Sequence, residues 1–157
     1  MNELFGPAEE IMAPDRHFMR MALTQARCAA AEGEVPVGAV ITDADGRVIA
    51  SAHNMTQALN DVTAHAEMLA VTAAASHFGA KYLTGCTLYV TVEPCLMCAG
   101  ALAWSQISRI VIGAADDKRG YRVQTSRNPF HPKTVVEYGV MADECAALMA
   151  DFFRQRR

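Results

Sequence analysis

Two short runs constrain this chain more than anything else in it: Thr63-Ala64-His65-Ala66-Glu67 and Pro94-Cys95-Leu96-Met97-Cys98. A histidine and two cysteines are borderline-to-soft metal ligands, and a fold that uses all three must bring separate segments to one point. A Cys-x-x-Cys pair at the start of a helix turns both thiolates toward one ion. The free amides of that first turn stabilise their charge. His65 also opens a predicted helix, so two helix N-termini are expected to converge on the metal.

Three protein ligands suit a catalytic zinc, whose remaining tetrahedral position holds water. Zinc lowers the pKa of that water from near 16 to roughly 7. Glu67, two positions beyond His65, leaves its helix turn on another side and can face the open position as a proton shuttle. The competing reading is a closed structural site. Zinc knuckles need a second cysteine pair, and Cys28, Cys86 and Cys145 stand isolated, yet any one of them could supply a fourth ligand.

At 157 residues the chain is long enough for one domain with a real core, and no disulfide framework is needed. Five cysteines, two of them in a metal-type pair, point to a reducing cytoplasm. No apolar run approaches the length of a membrane span, and the N-terminus lacks a basic-then-apolar signal. A net charge of −3 excludes a generic polyanion binder, so any nucleic-acid contact must come from a local patch.

Residues 1–14, punctuated by Gly6, Pro7 and Pro14, read as a mobile leader, and residues 15–157 as the folded domain. Asp15 is placed to cap a helix over 16–32, ended by Gly33, with Cys28 as a small buried hydrophobe. A buried strand over 35–41, a turn at Asp43-Ala-Asp-Gly46 and a strand over 47–52 form a hairpin. Gly38 either admits a flat ring or serves strand packing. Asn54 opens a polar loop to Thr63, and its amide offers a donor and an acceptor for a base edge. A turn-forming asparagine would look the same.

A helix over 65–77, capped by Thr63 or Asp61, precedes a clear strand over 87–92 that delivers Glu93-Pro94-Cys95. A helix over 95–104 and a strand over 109–114 follow. Strand, helix and strand over so few residues imply parallel pairing, and ligands in such sheets gather at the strands' carboxyl ends. The segment 115–133 is charged, with Tyr121 and Phe130 interleaved. It reads either as solvated loop or as substrate contact. A short strand over 134–138 and an amphipathic helix over 143–156 close the chain, and the helix ends in Arg154, Arg156 and Arg157.

The pair His-x-Glu and Pro-Cys-x-x-Cys is a signature of zinc nucleobase deaminases. The segments Glu34-Val-Pro-Val-Gly-Ala-Val40, Thr63–Glu67, the run from Leu88 to Leu102 and Ala142-Asp-Glu-Cys-Ala-Ala-Leu148 together resemble the bacterial tRNA-specific adenosine deaminases. The terminal Asp151-Phe-Phe-Arg-Gln-Arg-Arg157 is similar too. The resemblance implies an α/β fold of three layers, α/β/α, around a mixed five-stranded sheet of the cytidine-deaminase type. It implies a cytoplasmic homodimer with one zinc ion per subunit that converts the wobble adenosine in an arginine tRNA anticodon stem-loop to inosine.

By the same resemblance His65, Cys95 and Cys98 hold the metal and Glu67 moves protons. Asn54 hydrogen-bonds the flipped base, Val37, Ala64 and Pro94 shape its pocket, and Asp116 lies beside the anticodon nucleotides. One stretch departs from the family pattern. A Gly-Ala-rich loop is replaced by the shorter segment from Gly120 to Pro132. The alternatives are a deaminase of a free nucleobase or nucleoside, of guanine or cytosine type, and a catalytically silent zinc domain used for RNA binding or assembly.

Overall fold

The computed structural model describes residues 7–156 of the chain. Three apolar runs become the central strands: β1 (Gly38–Thr42), β3 (Thr87–Val92) and β4 (Arg109–Ala114). They are apolar on both faces because both faces are covered. Ala39, Ile41, Leu88, Val90, Ile110 and Ile112 point into one core with α2 (Ala66–Phe78) and α3 (Leu96–Ser105). The alternate residues Val40, Tyr89 and Val111 point into a second core, with α1 (Pro7–Ala31) and α5 (Ala142–Arg154). The period-two alternation of a strand thus separates two helical layers about one sheet.

Strands β2 (Val48–His53) and β5 (Val135–Tyr138) complete a five-stranded sheet in the order β2-β1-β3-β4-β5. The hairpin β1–β2 and the pair β1–β3 are antiparallel, whereas β3, β4 and β5 run parallel. The hairpin turn closes as its residues dictate. Asp43 Oδ1 accepts the backbone N–H groups of Asp45 and Arg47, both at 2.9 Å, and Gly46 takes the left-handed φ of +81°.

This mixed pairing decides where function can sit. The carboxyl ends of β3 and β4, the amino end of β1 and the carboxyl end of β2 all meet at one edge of the sheet. Val37, Asn54, Cys95 and residues 115–119 are therefore neighbours.

Several expectations need correction. Helix α1 begins at Pro7, so residues 7–14 are helical and not irregular, while 1–6 lie outside the described residues. Asp15 is consequently inside the helix, not its cap, and its carboxylate is bound by Arg109. Cys28 is exposed, because the buried stripe of α1 runs through Met19, Ala22, Leu23, Ala26 and Ala29. Helix α2 is capped by neither Thr63 nor Asp61. His65 is its N-cap residue, and Asp61 instead closes a local turn by accepting from Thr63 N–H and Oγ1.

Gly38 faces α1 and not a ligand. A Cβ there would lie 1.9 Å from the Ala22 carbonyl oxygen and 2.6 Å from the Ala26 nitrogen, so strand–helix packing is its reason. The segment 115–133 contains a helical turn, α4 (Tyr121–Gln124). Its aromatics are no stacking surface, since Tyr121 and Phe130 are buried against each other in the core.

Candidate active site

His65 and Cys95 occupy the N-cap positions of α2 and α3, with extended backbones and no side-chain capping bond. Their side chains are spent on each other instead. Both helices aim their N-terminal dipoles at the same point, which favours thiolate there. The sulfurs of Cys95 and Cys98 lie 3.6 and 3.5 Å from His65 Nδ1.

With metal–sulfur bonds of about 2.3 Å and metal–nitrogen bonds of about 2.0 Å, ligands at the tetrahedral angle sit roughly 3.6 Å apart. All three ligand atoms fall within 4.8 Å of one another. The donor set fits a zinc ion bound through Nδ1 and two sulfurs. No fourth protein ligand joins this group among the described residues. Cys86 is buried in the core beside α2 and α3, and Cys145 belongs to the core on the other face of the sheet. A cysteine-closed structural site is therefore not what the chain builds.

The protonation of the cluster follows its contacts. The hydrogen bond from Cys98, then the one with His65, pulls the Cys95 thiol down to about 4 against the opposing effect of burial. The bond with Cys95 raises His65 above its ordinary value. Cys98, as donor to Cys95 and itself buried, is pushed upward. Glu67 is 4% exposed, and burial lifts its carboxyl to about 7. A carboxyl that exchanges its proton near neutrality beside a metal-ligand cluster is equipped for general acid–base work.

These groups open onto a cavity of about 710 Å³. Of the residues singled out from the sequence, Val37, Asn54, His65, Glu67, Cys95 and Asp116 line it. Asn54 is buried, and its backbone N–H donates to the Val37 carbonyl at 3.1 Å, which sets it on the wall. Ala64 and Pro94 are buried behind the wall, each one residue before a ligand. Lys118 and Arg119 from the loop after β4, and Met149 and Phe153 from α5, complete the rim.

Sequence reasoning missed two buried carboxylates that shape this site. Glu34 accepts the backbone N–H groups of Gln57 and Ala58, each at 2.9 Å, and so organises the loop after Asn54. Burial alone would raise its pKa, but those hydrogen bonds outweigh it and hold the carboxyl below its ordinary value. Glu93 grips the segment after β4. The only signal for either was an acidic residue bordering an apolar run.

The profile of the cytidine and deoxycytidylate deaminase zinc-binding region matches residues 12–114. The tRNA-specific adenosine deaminase of Agrobacterium fabrum (strain C58) is 44% identical over 151 residues, 93% of this chain and 98% of that one. Its counterpart from Aquifex aeolicus (strain VF5) is 41% identical over 145 residues, covering 90% of this chain and 95% of the relative. A solved structure from work on A-to-I editing by tRNA:A34 deaminases at the wobble position of transfer RNA superposes with a TM-score of 0.78. It is 44% identical and covers 84% of this chain and 98% of that one.

Proposed function

We propose a function from the premise that this chain belongs to the cytidine and deoxycytidylate deaminase family and, within it, to the tRNA-specific adenosine deaminases. It is a zinc-dependent hydrolase of amidine C–N bonds that converts adenosine to inosine at the wobble position of tRNA, with one zinc ion per subunit. The observation that carries this reading is the buried Glu67 beside a three-ligand His65–Cys95–Cys98 cluster, on a cavity of about 710 Å³.

His65, Cys95 and Cys98 are the zinc ligands, and Glu67 is the proton carrier. Bound zinc supplies hydroxide near neutral pH by lowering the pKa of its water to about 7. Glu67 would carry two protons in turn, the first from the attacking water to the purine ring nitrogen and the second from the hydroxyl added at C6 to the departing amine, and a pKa of about 7 suits it to both transfers. Asn54 presents its side-chain amide to the edge of the flipped base, Val37 packs on the ring, and Ala64 and Pro94 fix the ligand-bearing backbone. Asp116, Lys118 and Arg119 face the nucleotides outside the pocket, where two cations suit phosphate.

The finer identity is an arginine tRNA edited by a cytoplasmic homodimer. Trp104 is 85% exposed at the end of α3, and Leu96 and Met97 are exposed at its start, an apolar face suited to a second copy. No described helix is long and apolar enough to cross a membrane. The five cysteines are all unpaired, as a reducing compartment requires. Trp104→Glu is expected to give monomers by light scattering where the parent chain gives dimers.

The deciding experiment incubates the zinc-loaded enzyme with an anticodon stem-loop carrying adenosine at the wobble position, and in parallel with free guanine, cytosine and adenosine. Inosine in the hairpin is the expected product. Ammonia from the free bases without inosine in the hairpin would move the chain to the free-base deaminases.

A further inference from the structure

The segment that departs from the family pattern is held from inside by one carboxylate. Glu93 follows β3 directly and precedes Pro94-Cys95, and its side chain is 2% exposed. It accepts the backbone N–H of Asp116 at 3.3 Å and that of Arg122 at 3.1 Å. It also accepts Arg122 Nε at 3.2 Å and Nη2 at 3.0 Å. Two further backbone contacts run alongside: Tyr121 N–H donates to the Pro94 carbonyl at 2.9 Å, and Cys95 pairs with Gly120.

The outer side of this arrangement is also built. The Arg122 guanidinium lies 3.8 Å from the centre of the Tyr138 ring, and the Tyr138 hydroxyl bonds that of Tyr121. Gly120 leaves the room the carboxylate needs. A Cβ there would sit 2.1 Å from Glu93 Oε2 and 2.6 Å from the Asp116 carbonyl oxygen. Asp116 Oδ1 in turn accepts the N–H groups of Lys118 and Arg119, both at 3.0 Å. Residues 116–119 all line the cavity, whereas Arg122 does not.

We propose that Arg122 is a positioning residue that, through buried Glu93, fixes the 116–119 wall of the substrate cavity against the strand end that carries Cys95. A buried carboxylate stripped of its cation is costly, and residues 116–122 moving outward together would take both the Arg122 guanidinium and the backbone donors of Asp116 and Arg122 away from Glu93. The wall thereby keeps one register relative to the metal ligands. Arg122 performs this from outside the cavity. Lysine cannot replace it fully, because a point charge on a flexible stem neither forks onto the carboxylate nor stacks as a plane on Tyr138.

This inference rests on the tRNA deaminase reading, and one series separates the two. Wild type, Arg122→Ala, Arg122→Lys and Gly120→Ala are compared for kcat and KM on the wobble-adenosine hairpin. The Kd of a hairpin bearing a non-reactive purine, zinc content and melting temperature are measured alongside. A loosened wall weakens ground-state and transition-state contacts alike. KM and Kd are therefore expected to rise about tenfold in Arg122→Ala and Gly120→Ala, with kcat within about twofold and zinc unchanged. Arg122→Lys should fall between. Folded, zinc-loaded variants whose KM and Kd match wild type, or whose kcat alone falls, would overturn the positioning role. Failure of the wild type to form inosine would instead overturn the reading beneath it.

Discussion

Asp15 and Glu67 are buried to the same degree, 5% and 4% exposed, yet their carboxyls are driven in opposite directions. Burial, helped by the charge of the neighbouring Cys95 thiolate, lifts Glu67 to about 7. Burial pushes Asp15 upward too, but the hydrogen bonds from Arg109 and Tyr89 outweigh it, and the carboxyl ends below its ordinary value. Arg109 Nη1 and Nη2 reach the two Asp15 oxygens at 2.8 and 2.6 Å, Tyr89 donates at 3.0 Å, and Glu137 holds the same guanidinium at 2.9 Å. Desolvation sets the size of the problem at both places, and the presence of a cation sets its sign. The two carboxylates sit toward opposite ends of the parallel strands. Arg109 opens β4, whereas Glu67 faces the end where β3 delivers Cys95. One end locks a charge to join α1 to the sheet, and the other keeps a proton exchangeable.

The largest expected effect tests whether that exchangeable proton matters. Glu67→Gln keeps shape and volume but removes the acid and should lower kcat by about 10²–10⁴-fold, the range for a general acid–base group. Zinc analysis of the same sample should still give one ion per subunit. Turnover within a factor of ten of wild type would dissolve the contrast between the two ends.

Next in size is Arg109→Ala. It leaves Asp15 buried without its cation and should cost about 3 kcal/mol in urea unfolding, the low end for a broken buried pair. The low end applies because the arginine side chain is 28% exposed. Inosine formation per folded molecule should be unchanged, since neither residue lines the cavity.

A matched pair of amides then sharpens the comparison. Asp15→Asn should destabilise by about 2 kcal/mol, as loss of hydrogen bonds to a charged group does. Glu67→Gln at pH 8 should be neutral or stabilising, because it removes a charge the fold does not compensate. Destabilisation of equal size at both positions would mean that burial, not partnership, governs them.

What the sequence disclosed divides along the same line. The grouping of His65, Cys95 and Cys98 was legible because each of its halves is local: His65 with Glu67, Cys95 with Cys98, each at a helix start. The central strands were legible because both their faces are buried, and the apolar runs say so. What stayed hidden was long-range. Asp15 and Arg109 lie 94 residues apart and Glu93 and Arg122 lie 29 apart, and no spacing rule connects them. Asp15 looked like a helix cap because a cap and an interior ion-pair partner share one residue type. Cys28 looked buried on residue type alone, although the apolar stripe of α1 passes beside it. The stretch with Tyr121 and Phe130 read either as solvated loop or as substrate contact, and the fold instead turned both rings into the core. Gly38 was undecidable, because only the approach of α1 shows which neighbour requires its missing side chain.

The smallest effect is the most specific, because it depends on the sign of each shift and not on its size. Asp15 has its folded pKa below the unfolded one, so the unfolded chain binds the extra proton. Its contribution is fully present above the ordinary carboxylate pKa of about 4 and is lost as pH falls through the folded value. The stability gap between wild type and Asp15→Asn should therefore be flat at neutral pH and close in acid. Glu67 has its folded pKa above the unfolded one, so the folded chain binds the extra proton. Its carboxyl is harmless below the ordinary value of about 4 and becomes a growing liability as pH rises toward about 7. The comparison is made on the metal-free protein, in which burial is the leading cause of this shift. The gap between Glu67→Gln and wild type should then open in favour of the variant as pH rises from about 4 to about 7. Urea unfolding at a few pH values reads both slopes. Parallel profiles for the two substitutions would show that Glu67 is held by a partner after all.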